Sequence, residues 1–214
     1  MKHTDIAPEA IFISGIDTDA GKTYATAFYA RMLAEKGFSV ITQKFIQTGC
    51  RETSEDIEAH RRLTGSGPLP EDAEGLTAPI ILSYPASAQL AARIDGVEID
   101  TSLITRATAG LLHRYDRVLI EGAGGLLVPI TDDYFAADYV AEHKLPLVLV
   151  TNSKLGSINH TILSLEGIKK RDIRLKAVIF NTYFDSDKVI AADTREFIGR
   201  YLAKHFPDAE YVVM

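Results

Sequence analysis

Short apolar runs alternate with stretches whose apolar residues recur at helical spacing, from residue 10 almost to the last residue. The run AIFIS (10–14) is apolar on both faces of a pleat and predicts a buried strand. In KTYATAFYARMLAEKG (22–37), Ala25, Phe28, Met32 and Leu33 form one apolar stripe. That stripe predicts a helix, and Gly37 suits its C-terminal cap. FSVITQK (38–44) predicts a second strand. Residues 53–64 predict a helix with a charged face, and the Gly- and Pro-rich residues 65–82 predict a loop. Helical spacing returns at 86–94 and 100–114. There follow a strongly apolar strand, DRVLIEG (116–122), a short helix (135–143), the strand LPLVLVTN (145–152) and a helix over 157–171. LKAVIFN (175–181) predicts another strand, residues 188–205 the last helix, and EYVVM a final edge strand.

Strands apolar on both faces and separated by helices predict a mostly parallel sheet with helices on both faces. With no internal repeat, linker or low-complexity segment, residues 1–214 read as a single doubly wound α/β domain. Ligands of such sheets bind beyond the carboxyl ends of the strands. The polar clusters of this chain mostly follow directly on predicted strands.

Charge and cysteine content narrow the classes. The chain carries 23 basic and 29 acidic residues, a net charge of −6. A nucleic-acid-binding domain is more often basic, and the longest basic run, Lys169-Lys170-Arg171, falls at a predicted helix end. The single cysteine, Cys50, excludes an internal disulfide framework and fits a reducing compartment. The stretch MKHTDIAPEA has no apolar run of signal-peptide length. No stretch approaches the roughly 20 apolar residues of a spanning helix. The expectation is a cytoplasmic protein with no nucleic-acid and no membrane partner.

The first chemical cluster is ISGIDTDAGKT (13–23). A strand, a turn and Gly-Lys-Thr opening a helix is the setting of a P-loop, whose backbone N–H groups point at phosphate oxygens. Five residues separate Gly15 from Gly21, one more than in the usual loop, and Asp17 and Asp19 lie among them. Asp17 suits a turn in which its side chain holds the loop's own backbone. Lys22 would reach terminal phosphates and the Thr23 hydroxyl would bind Mg²⁺. Gly-Lys-Thr alone fits a plain turn with a surface lysine equally well; the flanking strand and amphipathic helix favour the phosphate loop.

Four other clusters carry alternatives. VLIEGAGG (118–125) ends an apolar strand in Glu121, the usual acidic partner of a P-loop, or forms a Gly-rich turn with Glu121 solvated. In TQKFIQTG (42–49), Lys44 closes the second strand; it is either a second phosphate-neutralising lysine or a solvated strand end. Asp56 lies in a predicted first helical turn after Thr53 or Ser54 as cap, where the helix dipole alone accounts for it. A metal role for it requires the tertiary fold to bring it round. NSKLGSINHT (152–161) opens a helix after a strand and offers a second anion site. His160 there is a candidate base or a structural side chain, and Cys50 has no partner at metal spacing.

In order along residues 11–182, these motifs resemble dethiobiotin synthetases, P-loop enzymes of the biotin pathway. Ser14-Gly15-Ile16-Asp17-Thr18-Asp19-Ala20-Gly21-Lys22-Thr23 follows the family's loop. Lys44 with Thr48, Asp56, Glu121-Gly122-Ala123-Gly124-Gly125, Lys154-Leu155-Gly156-Ser157-Ile158-Asn159-His160 and Asn181 match the later motifs. The resemblance implies ATP-dependent carboxylation of 7,8-diaminopelargonate (7,8-diaminononanoate) by CO2 and ring closure to dethiobiotin, through a carbamate and a carbamic-phosphoric mixed anhydride. It implies ATP along Asp19, Ala20, Gly21, Lys22, Thr23, Tyr24, Asp56, Glu121, Gly122, Ala123 and Gly124, with its base near Asn181 and Thr182. Mg²⁺ would be held by Thr23, Asp56 and Glu121. Lys44, Lys22 and Thr18 would be catalytic, and Thr18, Lys44 and Thr48 would face the reacting end of the substrate. Gly156, Ser157, Ile158 and Asn159 would hold its carboxylate from the neighbouring subunit of a homodimer.

Among the departures from the pattern, Ile16 replaces a Thr, Asp19 a Glu and Phe45 a Pro. Beyond Pro207 there is no Gly-Glu-Ile-Pro-like stretch to finish a base pocket, so looser nucleotide selection is also expected. Rival readings are a partitioning-type P-loop ATPase switch, a corrinoid amide ligase and a non-enzymatic nucleotide scaffold. The first normally carries a second lysine early in the loop, absent from IDTDA (16–20), and the second a long extra domain.

Overall fold

The computed structural model describes residues 7–214; the first six residues of MKHTDIAPEA lie outside the described residues. The elements run β1 (Glu9–Gly15), α1 (Lys22–Glu35), β2 (Val40–Lys44), β3 (Gln47–Thr48), α2 (Glu55–Thr64), α3 (Pro70–Ala73), β4 (Ile81–Leu82), α4 (Ala88–Asp95) and α5 (Ser102–Leu112). Then follow β5 (Arg117–Gly125), α6 (Ala136–Glu142), β6 (Leu147–Asn152), α7 (Ser157–Lys170), β7 (Leu175–Asn181), α8 (Lys188–His205) and β8 (Glu210–Val213). Six strands form one parallel sheet in the order β2-β5-β1-β6-β7-β8. The predicted strands and helices are all present, and EYVVM is the edge strand expected of it.

Alternation along each strand divides the core. Ile11 and Ile13 of β1, Leu119 of β5 and Val148 and Val150 of β6 pack with Ala25, Tyr29, Ala30 and Leu33 of α1. The intervening Phe12, Val118, Ile120 and Leu149 meet side chains of α5, α6, α7 and α8 on the opposite face. Both faces are thus covered, which is why these strands read as continuous apolar runs rather than alternating ones.

The segment 65–82, expected to be loop, contains α3 and β4, and β4 pairs in parallel with β3 (Gln47↔Ile81, Thr48↔Leu82). Two-residue strands and a one-turn helix are too short to show a period. Side chains add to the backbone bonds that hold the segment, such as those from the Lys44 and Gln47 N–H groups to the Thr77 and Ile80 carbonyls. Arg61 of α2 makes paired contacts with Asp72 at 2.7 and 3.0 Å, and Asp72 also accepts from the Leu69 N–H and the Thr77 hydroxyl. Phe45, where the family pattern has Pro, is buried against Phe12 and Tyr139. Its N–H donates to the Glu121 carbonyl at 2.8 Å, a bond proline cannot make. The Lys169-Lys170-Arg171 run does end a helix, and Arg171 pairs with Asp138 at 2.7 Å.

Candidate functional site

Chain direction and register assemble the site. β1 leads directly into the loop before α1, β5 lies beside it, and β2 lies beyond β5. Lys44, the last residue of β2, is in register with Glu121 of β5, which is in register with Ile13 of β1. Lys44 and Glu121 therefore stand side by side at the carboxyl edge, next to the start of α1.

The loop itself is shaped for close approach. Gly21 caps α1 with φ of 90°, a left-handed value that favours glycine, and a Cβ there would lie 2.1 Å from Asn181 Nδ2. Among the described residues no side chain caps the first N–H groups of α1, which leaves them to an anion. Asp17 accepts the Thr18 N–H on its carboxylate at 2.8 Å, and its backbone carbonyl accepts from Lys22 Nζ at 3.0 Å. The turn role expected of Asp17 is thus what the geometry gives. Asp19 has a left-handed φ of 53°, a conformation Asp tolerates better than most residues.

Lys44 is buried, not solvated. Its ammonium lies 2.5 Å from Asp56 Oδ2 and 2.8 Å from Glu121 Oε1, and it donates to the Gly122 carbonyl at 3.3 Å. The fold has also brought Asp56 round: Ser54 caps α2, accepting from the Ile57 N–H, and the first turn points Asp56 at the Thr23 hydroxyl. Thr23 Oγ1 lies 3.1 Å from Asp56 Oδ1 and 3.2 Å from Glu121 Oε1. One hydroxyl has one proton, so it can donate to only one of these two carboxylates at a time. A hard divalent cation among the three oxygens would satisfy both, and this all-oxygen donor set fits Mg²⁺.

Burial alone would push the Glu121 carboxyl up, but Lys44 and the hydrogen bonds from His60 and Lys44 hold it far below the usual range. Burial would likewise lower Lys44, and the charges of Glu121 and Asp56 overcome it and hold the ammonium up. Lys22 goes the other way: burial, with repulsion from Lys44, lowers it despite Glu121, Asp56 and Asp19. It is a buried cation waiting for an anion.

A cavity of about 800 Å³ opens on these groups. Thr18, Asp19, Gly21, Lys22, Thr23, Tyr24, Lys44, Thr48, Asp56, Glu121, Ala123, Gly124, Asn181 and Thr182 all line it. Ala20 and Gly122 are buried behind it and act through their carbonyls, on Asn181 and Lys44 respectively. The Asn181 amide is fixed at both ends, Nδ2 on the Ala20 carbonyl and Oδ1 on the Tyr183 N–H. Tyr183, Phe184 and Met214 line the same end, aromatic and apolar groups that no loop motif marked.

Gly156, Ser157 and Ile158 are not part of this cavity. They line a separate one of about 300 Å³ with Val189, Ile190, Asp193 and Thr194, while Asn159 is exposed in the first turn of α7. His160 is half exposed, 3.9 Å from Asp17, and Cys50 is buried and free. Sequence reasoning missed His60, which is wholly buried on α2 with Nε2 2.7 Å from Glu121 Oε2. Its position four residues after Asp56, one helical turn, was the available signal.

A parallel α/β sheet, Gly-Lys-Thr at a helix start and a strand-end acid beside it define a P-loop nucleotide-binding protein. The AAA domain family matches residues 9–204. The chain belongs to that family and, within it, to the ATP-dependent dethiobiotin synthetases. It is 51% identical over 204 residues to ATP-dependent dethiobiotin synthetase BioD 2 of Haemophilus ducreyi, covering 95% of this chain and 97% of the relative. It is 49% identical to the dethiobiotin synthetase of Chlorobaculum tepidum, covering 96% and 86%. Among solved structures, a plasmid partition protein of Borrelia burgdorferi bound to AMPPNP aligns with a TM-score of 0.56, covering 97% of this chain and 87% of that one at 12% identity. A ParA family ATPase of Chlorobium tepidum aligns with a TM-score of 0.54, covering 97% and 85% at 17% identity. Those two likenesses show the fold. Among the described residues no helix is long and apolar enough to cross a membrane.

Proposed function

We propose that this chain, a member of the dethiobiotin synthetase family, carboxylates 7,8-diaminopelargonate with CO2 and closes it to the cyclic urea of dethiobiotin, using ATP. The observation that carries this reading is the convergence of Lys22, Thr23, Lys44, Asp56 and Glu121 on one cavity at the carboxyl ends of β1, β2 and β5.

One amine of the substrate attacks CO2 and loses a proton to solvent, giving a carbamate. The carbamate oxygen attacks the γ-phosphorus of ATP, the bond to ADP breaks, and a carbamic-phosphoric mixed anhydride forms. The second amine attacks its carbonyl carbon and loses a proton to solvent, phosphate leaves, and the ring closes. None of these steps requires a protein base of special pKa, and among the described residues lining the cavity there is no histidine. The protein's part is positioning and charge stabilisation. Lys22, short of anionic partners, takes the terminal phosphates. Lys44, held protonated by Glu121 and Asp56, can exchange these carboxylates for the carbamate and the transferring phosphoryl group. Thr18 and Thr48 face the reacting end of the substrate.

Thr23, Asp56 and Glu121 would hold Mg²⁺, which neutralises phosphate charge when bound. The helix start at Gly156, Ser157, Ile158 and Asn159 would take the substrate's carboxylate from the neighbouring subunit, making the working form a homodimer of one-domain chains in the cytoplasm. Its separation from the main cavity supports that arrangement. The deciding experiment measures ADP release with and without the diamine and bicarbonate. Release that depends on both is expected; turnover indifferent to both defeats the reading in favour of an ATPase switch.

A further inference from the structure

The two oxygens of Glu121 serve different neighbours. Oε1 faces the site, 2.8 Å from Lys44 Nζ and 3.2 Å from Thr23 Oγ1. Oε2 faces the scaffold, 2.7 Å from His60 Nε2, with both side chains shut off from solvent. We propose that His60 is a positioning residue: its hydrogen bond to Oε2 fixes the Glu121 carboxylate so that Oε1 is presented to the metal–nucleotide site. The inference rests on the reading of Glu121 as a Mg²⁺ ligand.

Hydrogen-bond partners assign the proton. His60 Nδ1 is buried, with no hydrogen-bond partner among the described residues. The ionised Glu121 carboxylate offers only lone pairs, so Nε2 must be the donor in the 2.7 Å bond between them. The proton therefore sits on Nε2 and is donated to Glu121. A histidine with one ring nitrogen committed to a ligand carboxylate does what outer-shell partners do around metals: it sets the ligand's orientation.

The helix that carries His60 is itself tied down. Asp56 and His60 are one turn apart on α2, so both project from the same face. At the helix start Ser54 bonds Gln47, and near its end Arg61 bonds Thr42 of β2 and Asp72. α2 thus sets Asp56 directly and Glu121 through His60, and the two carboxylates keep a fixed relation across Thr23. Without His60, Oε2 would be a buried anionic oxygen lacking its partner, and the carboxylate would turn to recover one from Lys44.

The test uses Mn²⁺ in place of Mg²⁺, with its free concentration read by electron paramagnetic resonance in the presence of ADP and the full chain. His60→Leu keeps the bulk and removes the donor. It is expected to weaken Mn²⁺ binding to the protein–ADP complex by about 10-fold or more, the usual loss for an outer-shell partner. His60→Gln, whose amide nitrogen reaches the Nε2 position, is expected to stay within about threefold of wild type, because the donor is restored. Glu121→Gln serves as the control for the ligand itself and is expected to weaken Mn²⁺ binding. If it does so while His60→Leu binds Mn²⁺ like wild type, the positioning role is overturned and the ligand reading stands. If Glu121→Gln leaves Mn²⁺ binding unchanged, the ligand reading fails and takes this inference with it. Should His60→Leu not fold, His60→Asn replaces it, since its shorter amide stops at the Nδ1 position; equal Mn²⁺ affinity in the Asn and Gln variants overturns the proposal.

Discussion

The Lys44 ammonium lies 2.8 Å from Glu121 Oε1, and the two residues are register partners on adjacent parallel strands. Backbone pairing, rather than a flexible side-chain search, fixes this contact. Lys44→Ala is therefore expected to act on chemistry and stability by separate routes. Loss of a preorganised cation at the developing charge should lower kcat by about 10²–10³-fold. In the ligand-free protein the variant also leaves the buried Glu121 short of a cation, so its melting temperature should fall. Mg²⁺ with nucleotide should recover most of that fall. Steady-state kinetics and thermal melts with and without Mg-ADP check both halves, and near-wild-type kcat would show Lys44 to be misassigned.

Lys22 predicts the opposite sign for stability. Its side chain is buried, donates to the Asp17 carbonyl, and has its pKa lowered, so the folded state disfavours the charged form. At neutral pH that charge costs folding energy, which bound phosphate would return. Lys22→Met should thus stabilise the ligand-free protein by about 1 kcal/mol, a rise of about 2–4 °C in Tm for a chain of this size. The same change should reduce nucleotide affinity at least tenfold. A variant that loses both Tm and affinity would mean that Lys22 serves the fold.

Asp19 is separable into backbone and charge. It holds a left-handed φ, which Asn adopts as readily, and its carboxylate adds a favourable field at Lys22. Asp19→Asn should keep the loop and the melting temperature while lowering turnover by a few-fold. Unchanged turnover would make the charge incidental, and a large fall in Tm would mean that the carboxylate is structural.

The sequence revealed more of the sheet edge than of what braces it. Lys44, Glu121 and the Gly-Lys-Thr start each follow an apolar run, and a buried parallel strand announces its own carboxyl end. Read from its own surroundings Asp56 was a helix-cap neighbour, and its metal role came from the family resemblance, because its approach to Thr23 depends on how α2 crosses the sheet. His60 left a weaker trace: it stands one helical turn after Asp56, but a lone histidine in a charged helix carries no period, and only its partner on a distant strand gives that spacing meaning. The short pair β3–β4 left no alternation to read. α3 did leave a trace, since Pro70 opens it and acids follow, but the Gly and Pro content around it outweighed that signal.

That same segment supplies the last prediction. Arg61, 6% exposed, is clamped by both oxygens of Asp72, and Asp72 in turn holds the Leu69 N–H and the Thr77 hydroxyl. Asp72→Ala leaves a buried guanidinium whose one remaining hydrogen-bond partner among the described residues is Thr42. The cost should be about 2–3 kcal/mol, below that of a fully buried pair because Asp72 keeps some contact with water. For a chain of this size that is a fall of about 5–10 °C in Tm. Burial opposes ionisation of Asp72, but Arg61 and the hydrogen bonds from Leu69 and Thr77 prevail and lower its pKa. Its stabilisation is accordingly complete above the ordinary carboxylate range and is lost as pH falls through the lowered value. The Tm gap between wild type and Asp72→Ala should be full at pH 7 and close progressively as the pH is taken below the carboxylate range. Melting curves recorded across that range decide it: a gap that stays constant with pH would place the loss in packing around Asp72 rather than in its charge.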